Sequence, residues 1–183
     1  MSIQIRELIE QDSKQVLAIA RKLASWFNPL DQMALAIDLL RHKGFVATEG
    51  QQMVGFVTYH LPEAEQAELS WFAVLPAKQG QGIGIRLLAR LEAALREKGV
   101  LVLEVSTVPS DHDPLFAATN AFYRRNGFIV EQRDQDYYAY GRPRILLKKP
   151  LRAKVTSPTL PAYPLGVIKT NSQMSTKPII GSS

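Results

Sequence analysis

The stretch from Ala67 to Arg96 constrains the chain more than any other. Leu69, Trp71, Phe72, Val74 and Leu75 form a short β-prone run that Pro76 closes, because proline has no N–H to continue a ladder. Gln79-Gly80-Gln81-Gly82-Ile83-Gly84 then leaves the backbone almost bare of side chains, and Leu87, Leu88, Leu91, Ala94 and Leu95 follow at helical spacing. A strand, a bare turn and a helix in this order aim orphan N–H groups and the positive end of a helix dipole at one point, which suits a phosphate-bearing ligand. No Lys-Ser or Lys-Thr follows the last glycine, so the P-loop pattern fails. The glycines at 80, 82 and 84 are spaced G-x-G-x-G, so the dinucleotide fingerprint fails as well.

The rest of the chain arranges itself around this unit. Ile3 and Ile5 alternate with polar residues as a first strand does. Asp12 or Ser13 is the expected cap of a helix carrying Val16, Leu17, Ile19, Ala20 and Leu23, which Asn28-Pro29 is expected to end. Asp31 is the cap candidate for a second helix, over Met33 to Leu40, that stops at Gly44. Trp26, Phe27 and Leu30, in the link, read as packing residues. Two strands follow with Glu49 to Gln52 as their hairpin turn, and His60, at the end of the second, reads as a surface residue. After the glycine-rich loop and its helix, Val100 to Ser106 is an apolar run interrupted by Glu104, as in an interior strand parallel to its predecessor. Asp113-Pro114 caps a helix reaching Arg125, a strand begins at Phe128, and ILLKK is the last strand. The order is β-α-α-β-β-β-α-β-α-β-β. The expected fold class is therefore α/β (α+β), with about seven strands in a mixed sheet and about four helices.

Composition narrows the function. Of the formal charge of +5, residues 151–183 supply four positive charges (Arg152, Lys154, Lys169, Lys177) and no acid, so residues 1–150 are almost neutral. That gives nucleic-acid binding little support, and none is expected. With no cysteine in 183 residues, a thiolate nucleophile and cysteine-held metals are excluded. His42, His60 and His112 lack ligand spacing, and no metal is expected; Asp111 to Asp113 read as a polar loop with a helix cap. The N-terminus has charges where a signal peptide needs an apolar run, and no stretch is long and apolar enough to span a membrane, so a cytoplasmic location is expected. Residues 1–150 read as one domain. Residues 151–183, with Pro158, Pro161, Pro164 and Pro178 and no periodicity, read as a flexible, dispensable tail.

Three features resemble the GNAT superfamily of N-acetyltransferases. Gln79-x-x-Gly82-x-Gly84 between strand and helix resembles its acyl-CoA pyrophosphate loop. Thr119 to Phe128, TNAFYRRNGF, resembles its second signature. Glu68, eleven residues before Gln79, stands where several members keep a catalytic glutamate. The resemblance covers residues 3–149. It implies acetyl-CoA as co-substrate, direct transfer to a primary amine of a small molecule or peptide, and Glu68 and Tyr123 as catalytic residues. It also implies donor binding by Phe72, Ala73, Val74, Gln79, Gly80, Gln81, Gly82, Ile83 and Gly84, with the pantetheine arm along the central strand. Two positions depart from the pattern. Phe116 stands where many members have a pantetheine-binding asparagine, for which Asn120 is the candidate substitute. Gly80 replaces a usual Arg or Lys, which shifts the pyrophosphate onto backbone donors. The resemblance also implies an acceptor pocket with Trp26, Phe27, His60, Trp71, Tyr137, Tyr138 and Tyr140 as aromatic walls and no decisive charge pattern, and a homodimer is compatible with the reading. The alternative from another class is a GNAT-fold module that binds acyl-CoA as a regulatory ligand and transfers nothing.

Overall fold

A computed structural model describes residues 2–138 and 141–151. The elements, in order, are β1 (Ile3–Glu7), α1 (Ser13–Lys22), α2 (Pro29–Asp38), β2 (Lys43–Glu49), β3 (Gln52–Glu63), β4 (Gln66–Val74), α3 (Ile83–Glu97), β5 (Val102–Thr107), α4 (Ala117–Arg125), β6 (Ile129–Tyr138) and β7 (Arg142–Pro150). They form a seven-stranded sheet in the order β1-β2-β3-β4-β5-β7-β6. The β4–β5 pair, joined through α3, is parallel, and every other pair is antiparallel. The mixed α/β class and element order expected from periodicity are those observed. No helix among the described residues is long and apolar enough to cross a membrane.

Each face of the sheet is covered by helices. On one, Leu87, Leu88, Leu91 and Leu95 of α3 and Tyr123 of α4 bury against Phe45, Val57, Leu69 and Leu103. On the other, Val16, Ile19, Ala20 and Leu35 of α1 and α2 pack with Phe27 on Val46, Phe56 and Ala73. Glycine matters where strands approach closely: a Cβ on Gly44 would lie 2.3 Å from the Val57 carbonyl oxygen.

The boundaries of both N-terminal helices differ from the sequence reading. α2 ends at Asp38, and Gly44, the expected stop, lies within β2. α1 ends at Lys22, and Asn28-Pro29 starts α2 instead of ending α1: the Asn28 side chain accepts from the N–H groups of Leu30 and Asp31, while Asp31 accepts from the Asn28 N–H. Proline fits here because the first helical N–H has no partner anyway. Asp12 makes no side-chain cap of α1. It is buried, accepts two bonds from Arg6 at 2.6 and 2.8 Å and one from the Ile9 N–H, and Arg6 holds its carboxyl below the usual range. At the other end Leu151 is buried in the core and donates its N–H to the Leu101 carbonyl, so ordered packing extends one residue past the expected boundary. The remainder of the expected tail lies outside the described residues.

Candidate active site

The site begins with one extra residue. β3 and β4 pair as Thr58 with Trp71 and Tyr59 with Leu69, which leaves Ser70 unmatched in a bulge. A bulge shifts the alternation of side chains by one. Before it, Ala67 and Leu69 enter the α3 side of the sheet; after it, Phe72 and Val74 pack on that side, and Trp71 and Ala73 pack on the other. Parallel pairing to β5 stops at Leu69–Val105, one residue before the bulge, so β4 and β5 separate from there on. The Leu75 N–H bonds the Val54 carbonyl. Because bonded pairs alternate in an antiparallel ladder, Trp71 and Ala73 also spend their amides on β3, and the amides of Phe72 and Val74 face the opening. Ala73 was expected to offer backbone hydrogen bonds to a ligand; the ladder uses them, and the residue contributes only surface.

A cleft of about 380 Å³ runs from this opening to the glycine-rich loop. Phe72, Ala73, Val74, Gln79, Gly80, Gly82, Ile83 and Gly84 line it. The N–H groups from Gly80 to Ile85 find no acceptor among the described residues, and Gly80 and Gly82 hold φ of +75° and +76°, the left-handed region that favours glycine. The arrangement is a helix N-terminus with open donors, and it fits a pyrophosphate. Gln79 braces the loop by donating to the Val74 carbonyl at 3.0 Å. Gln81 donates to the Ala77 carbonyl and does not line the cleft. Lys78, held 2.7 Å from Glu49, and Arg125 stand at the cleft with positive charge that the loop itself lacks.

Asn120 is not in the cleft. It is buried, accepts from the Ser110 N–H and donates to the Val108 carbonyl, and so clamps the segment after β5 to α4. Its hydrogen-bonding capacity is used inside the protein, and it is withdrawn from the donor-binding set. Tyr123 lies on the same helix, 5% exposed and in edge-to-face contact with Phe122 and Phe128. Burial raises the pKa of its hydroxyl well above the usual phenol range, with Tyr138 adding to the effect, so the group keeps its proton at neutral pH.

A second cleft, of about 610 Å³, opens on the α1–α2 side of the sheet, and the two meet: Phe72, Ala73, Thr119 and Tyr123 line both. Glu68 lies in this second cleft with its side chain 41% exposed. Its Oε2 is 3.7 Å from His60 Nε2, while His60 Nδ1 is 3.2 Å from Ser70 Oγ. His42 stacks on His60 at 4.7 Å between centroids and 13° between planes. Burial lowers the pKa of His42 despite Asp38, whose Oδ2 accepts from Trp71 Nε1 at 2.7 Å.

Residues 41–130 match the model of the acetyltransferase (GNAT) domain. Over those residues the chain is similar to GNAT acetyltransferases. A GNAT-family protein from Desulfovibrio desulfuricans superposes with a TM-score of 0.74 at 23% identity, covering 82% of this chain and all (100%) of its own. The ribosomal-protein-S18-alanine N-acetyltransferase of Escherichia coli gives 0.69 at 26%, over 82% of this chain and 94% of its own. A GNAT-family acetyltransferase from Elizabethkingia anophelis with acetyl-CoA bound gives 0.64 at 18%, over 81% and 98%. No curated protein sequence matches significantly.

The structure places the loop and Tyr123 on the first cleft and Glu68 and Tyr123 on the second, and adds His42 and Arg125, which the sequence reading did not name as cleft residues. His60, read as a surface residue, sits beside Glu68, and its partner His42 comes from before β2. Trp26, expected as a packing residue or a pocket wall, and Leu30, expected to pack, are 38% and 50% exposed on the second cleft, while Phe27 packs in the core and also lines that cleft. Tyr140 lies outside the described residues. Nothing in local spacing reveals the histidine pair. Arg125 could have been found, since it shares a helix face with Ala118 and Phe122, four and three residues apart, and all three line the first cleft.

Proposed function

We propose that the protein is an acyl-CoA-dependent N-acetyltransferase that moves an acetyl group from acetyl-CoA directly to a primary amine. The observation that carries the reading is that the two clefts share Phe72, Ala73, Thr119 and Tyr123, so that two substrates can meet without an acyl-enzyme. The donors at Gly80 to Ile85, with Lys78 and Arg125, support the pyrophosphate end of the donor, and a similar structure holds acetyl-CoA. Another is an N-acetyltransferase acting on the alanine of ribosomal protein S18, which supports an amine acceptor.

When bound, the thioester supplies an activated acyl carbon and a thiol leaving group. The Phe72 N–H, turned toward the gap between β4 and β5, meets the thioester oxygen as a fixed donor. Glu68 takes one proton from the acceptor ammonium, through water. The amine nitrogen then forms its bond to the acyl carbon, the carbon–sulfur bond breaks, and Tyr123 delivers the proton that the sulfur needs, regaining the second proton shed by nitrogen. Holding both partners at the junction supplies much of the rate.

The test is thiol release and acceptor mass shift across a panel of amines, with wild type and Tyr123→Phe. Wild type should turn over by intersecting, not parallel, initial-rate patterns. The variant should lose roughly ten-fold or more in kcat while binding acetyl-CoA within a few-fold. Acetyl-CoA binding with no acetylated amine would support the regulatory-module alternative and overturn the proposal.

A further inference from the structure

The second cleft has a charge pattern that selects its occupant. Asp31, Asp38 and Glu68 face it as carboxylates, and Arg142 is the guanidinium among its lining residues. His42 is held toward its neutral form by burial. The cleft therefore attracts a cation and repels an anion. Two of the acids already have partners: Asp31 accepts from the Asn28 N–H at 3.0 Å, and Asp38 accepts from Trp71 Nε1 at 2.7 Å with His42 Nε2 at 3.7 Å. Among the described residues, Glu68 has only the His60 ring, at 3.7 Å. One carboxylate open to a ligand suits one ammonium. Arg142 lies 3.7 Å from Asp113, over the Phe116 ring and near Asp31, so it is not a free cradle for a substrate carboxylate.

Aromatic side chains make up much of the rest of the wall, interspersed with Asn28, Ser70, Ser106, Thr107 and Thr119. The Trp71 indole is fixed by its bond to Asp38, and Phe116 stands beneath Arg142. At the mouth, Trp26, Leu30 and Tyr137 are 38%, 50% and 53% exposed and line the same cleft. A volume of about 610 Å³ lies within the range of small-molecule sites and has room for a ring system on a short chain. Large exposed aromatics around an acidic floor fit a ligand with a charged end and an apolar body.

Resting on the transfer reading above, we propose that the acceptor is a small primary monoamine with an apolar, preferably aromatic, body and no carboxylate. Its ammonium is held by Glu68 and its body lies against Trp71, Phe116 and the rim formed by Trp26 and Tyr137.

The test compares matched acceptors with acetyl-CoA as donor: 2-phenylethylamine and tryptamine, phenylalanine as the same body with a carboxylate, 1,4-diaminobutane as two ammonium groups without a body, and a short peptide with a free N-terminus. The arylalkylamines should exceed each of the others at least ten-fold in kcat/KM. Calorimetry with CoA present should detect 2-phenylethylamine binding but not phenylalanine. Trp26→Ala, at a partly exposed position outside the sheet, should raise KM for tryptamine several-fold more than for ethylamine. Equal or better use of phenylalanine, the diamine or the peptide would overturn the proposal and leave the transfer reading standing. If acetyl-CoA binds and no amine is acetylated, both fall.

Discussion

Replacing Gly84 by aspartate separates ligand binding from folding at the glycine-rich loop. A Cβ at this position would sit 3.3 Å from Phe122 Cε2 and 3.7 Å from Phe72 Cζ, so a side chain enters between the two rings that line the donor cleft. Its carboxylate would then occupy the space toward which the open N–H groups point. The folded protein itself loses little: an acid in the first turn of a helix stabilises it by about 0.3–1 kcal/mol, which offsets the displacement of Phe122 by a few tenths of an ångström. For the wild type, ligand at a hundred-fold excess over Kd contributes about 2.7 kcal/mol; for a chain of this size that corresponds to about 5–11 °C in Tm. If the variant weakens Kd about a hundred-fold, the contribution at the same concentration falls to about 0.4 kcal/mol, or about 1–2 °C. Thermal unfolding of wild type, Gly84→Ala and Gly84→Asp, with and without acetyl-CoA, measures both quantities. The ligand-induced shift should shrink in that order while the ligand-free midpoints stay close together. A full shift in Gly84→Asp would refute the assignment of this loop to the pyrophosphate.

Gly44→Ala should cost folding about 2–3 kcal/mol or more, because the obstacle is the Val57 carbonyl of a paired strand at 2.3 Å, which cannot swing away. Gly99→Ala, at φ +78° with nothing within 4 Å of the added atom, should cost only its backbone strain, about 1–2 kcal/mol; chemical denaturation of the two checks the order. His42, with its folded pKa lowered chiefly by burial and also by His60 and Arg41, against the opposing pull of Asp38 and Glu68, takes up its proton less readily in the folded state than in the unfolded one. Stability should therefore be complete above the unfolded value of about 6.5 and decline as pH falls through it toward the folded value. The decline should be shallower in His42→Gln, and equal slopes of Tm against pH would remove His42 from the account.

The parts of the molecule visible in the sequence are those fixed by neighbours along the chain. Glycine spacing from 80 to 84 and the leucines from 87 to 95 define the loop and α3, and Asp113, its side chain accepting from the Leu115 N–H, caps a single 3-10 turn at Pro114–Phe116 that leads into α4. The proline signal at Asn28-Pro29 was equally local, but it marks a beginning as readily as an end, and only the reciprocal bonds of Asn28 and Asp31 decide between them. The bulge has no such signature. Leu69-Ser70-Trp71 reads as ordinary alternation, and only the register against β3 reveals that Ser70 is unmatched and that Ala73 has no amide to spare. Asn120 was misjudged for a similar reason: its partners at Val108 and Ser110 belong to a loop whose path depends on the whole sheet. The His42–His60 stack joins residues from two strand ends, a juxtaposition that no window of sequence contains.

The bulge at Ser70 also ties the two clefts together mechanically. Trp71 lines one and Val74 the other, while Phe72 and Ala73 line both, so a few consecutive peptide units form a shared wall. A molecule that shifts this wall from one side reshapes the opposite chamber, and thermodynamic linkage makes the influence equal in both directions. Occupancy of the two chambers is thereby expected to be cooperative, with its sign set by whether the first occupant leaves the shared peptides where the second needs them.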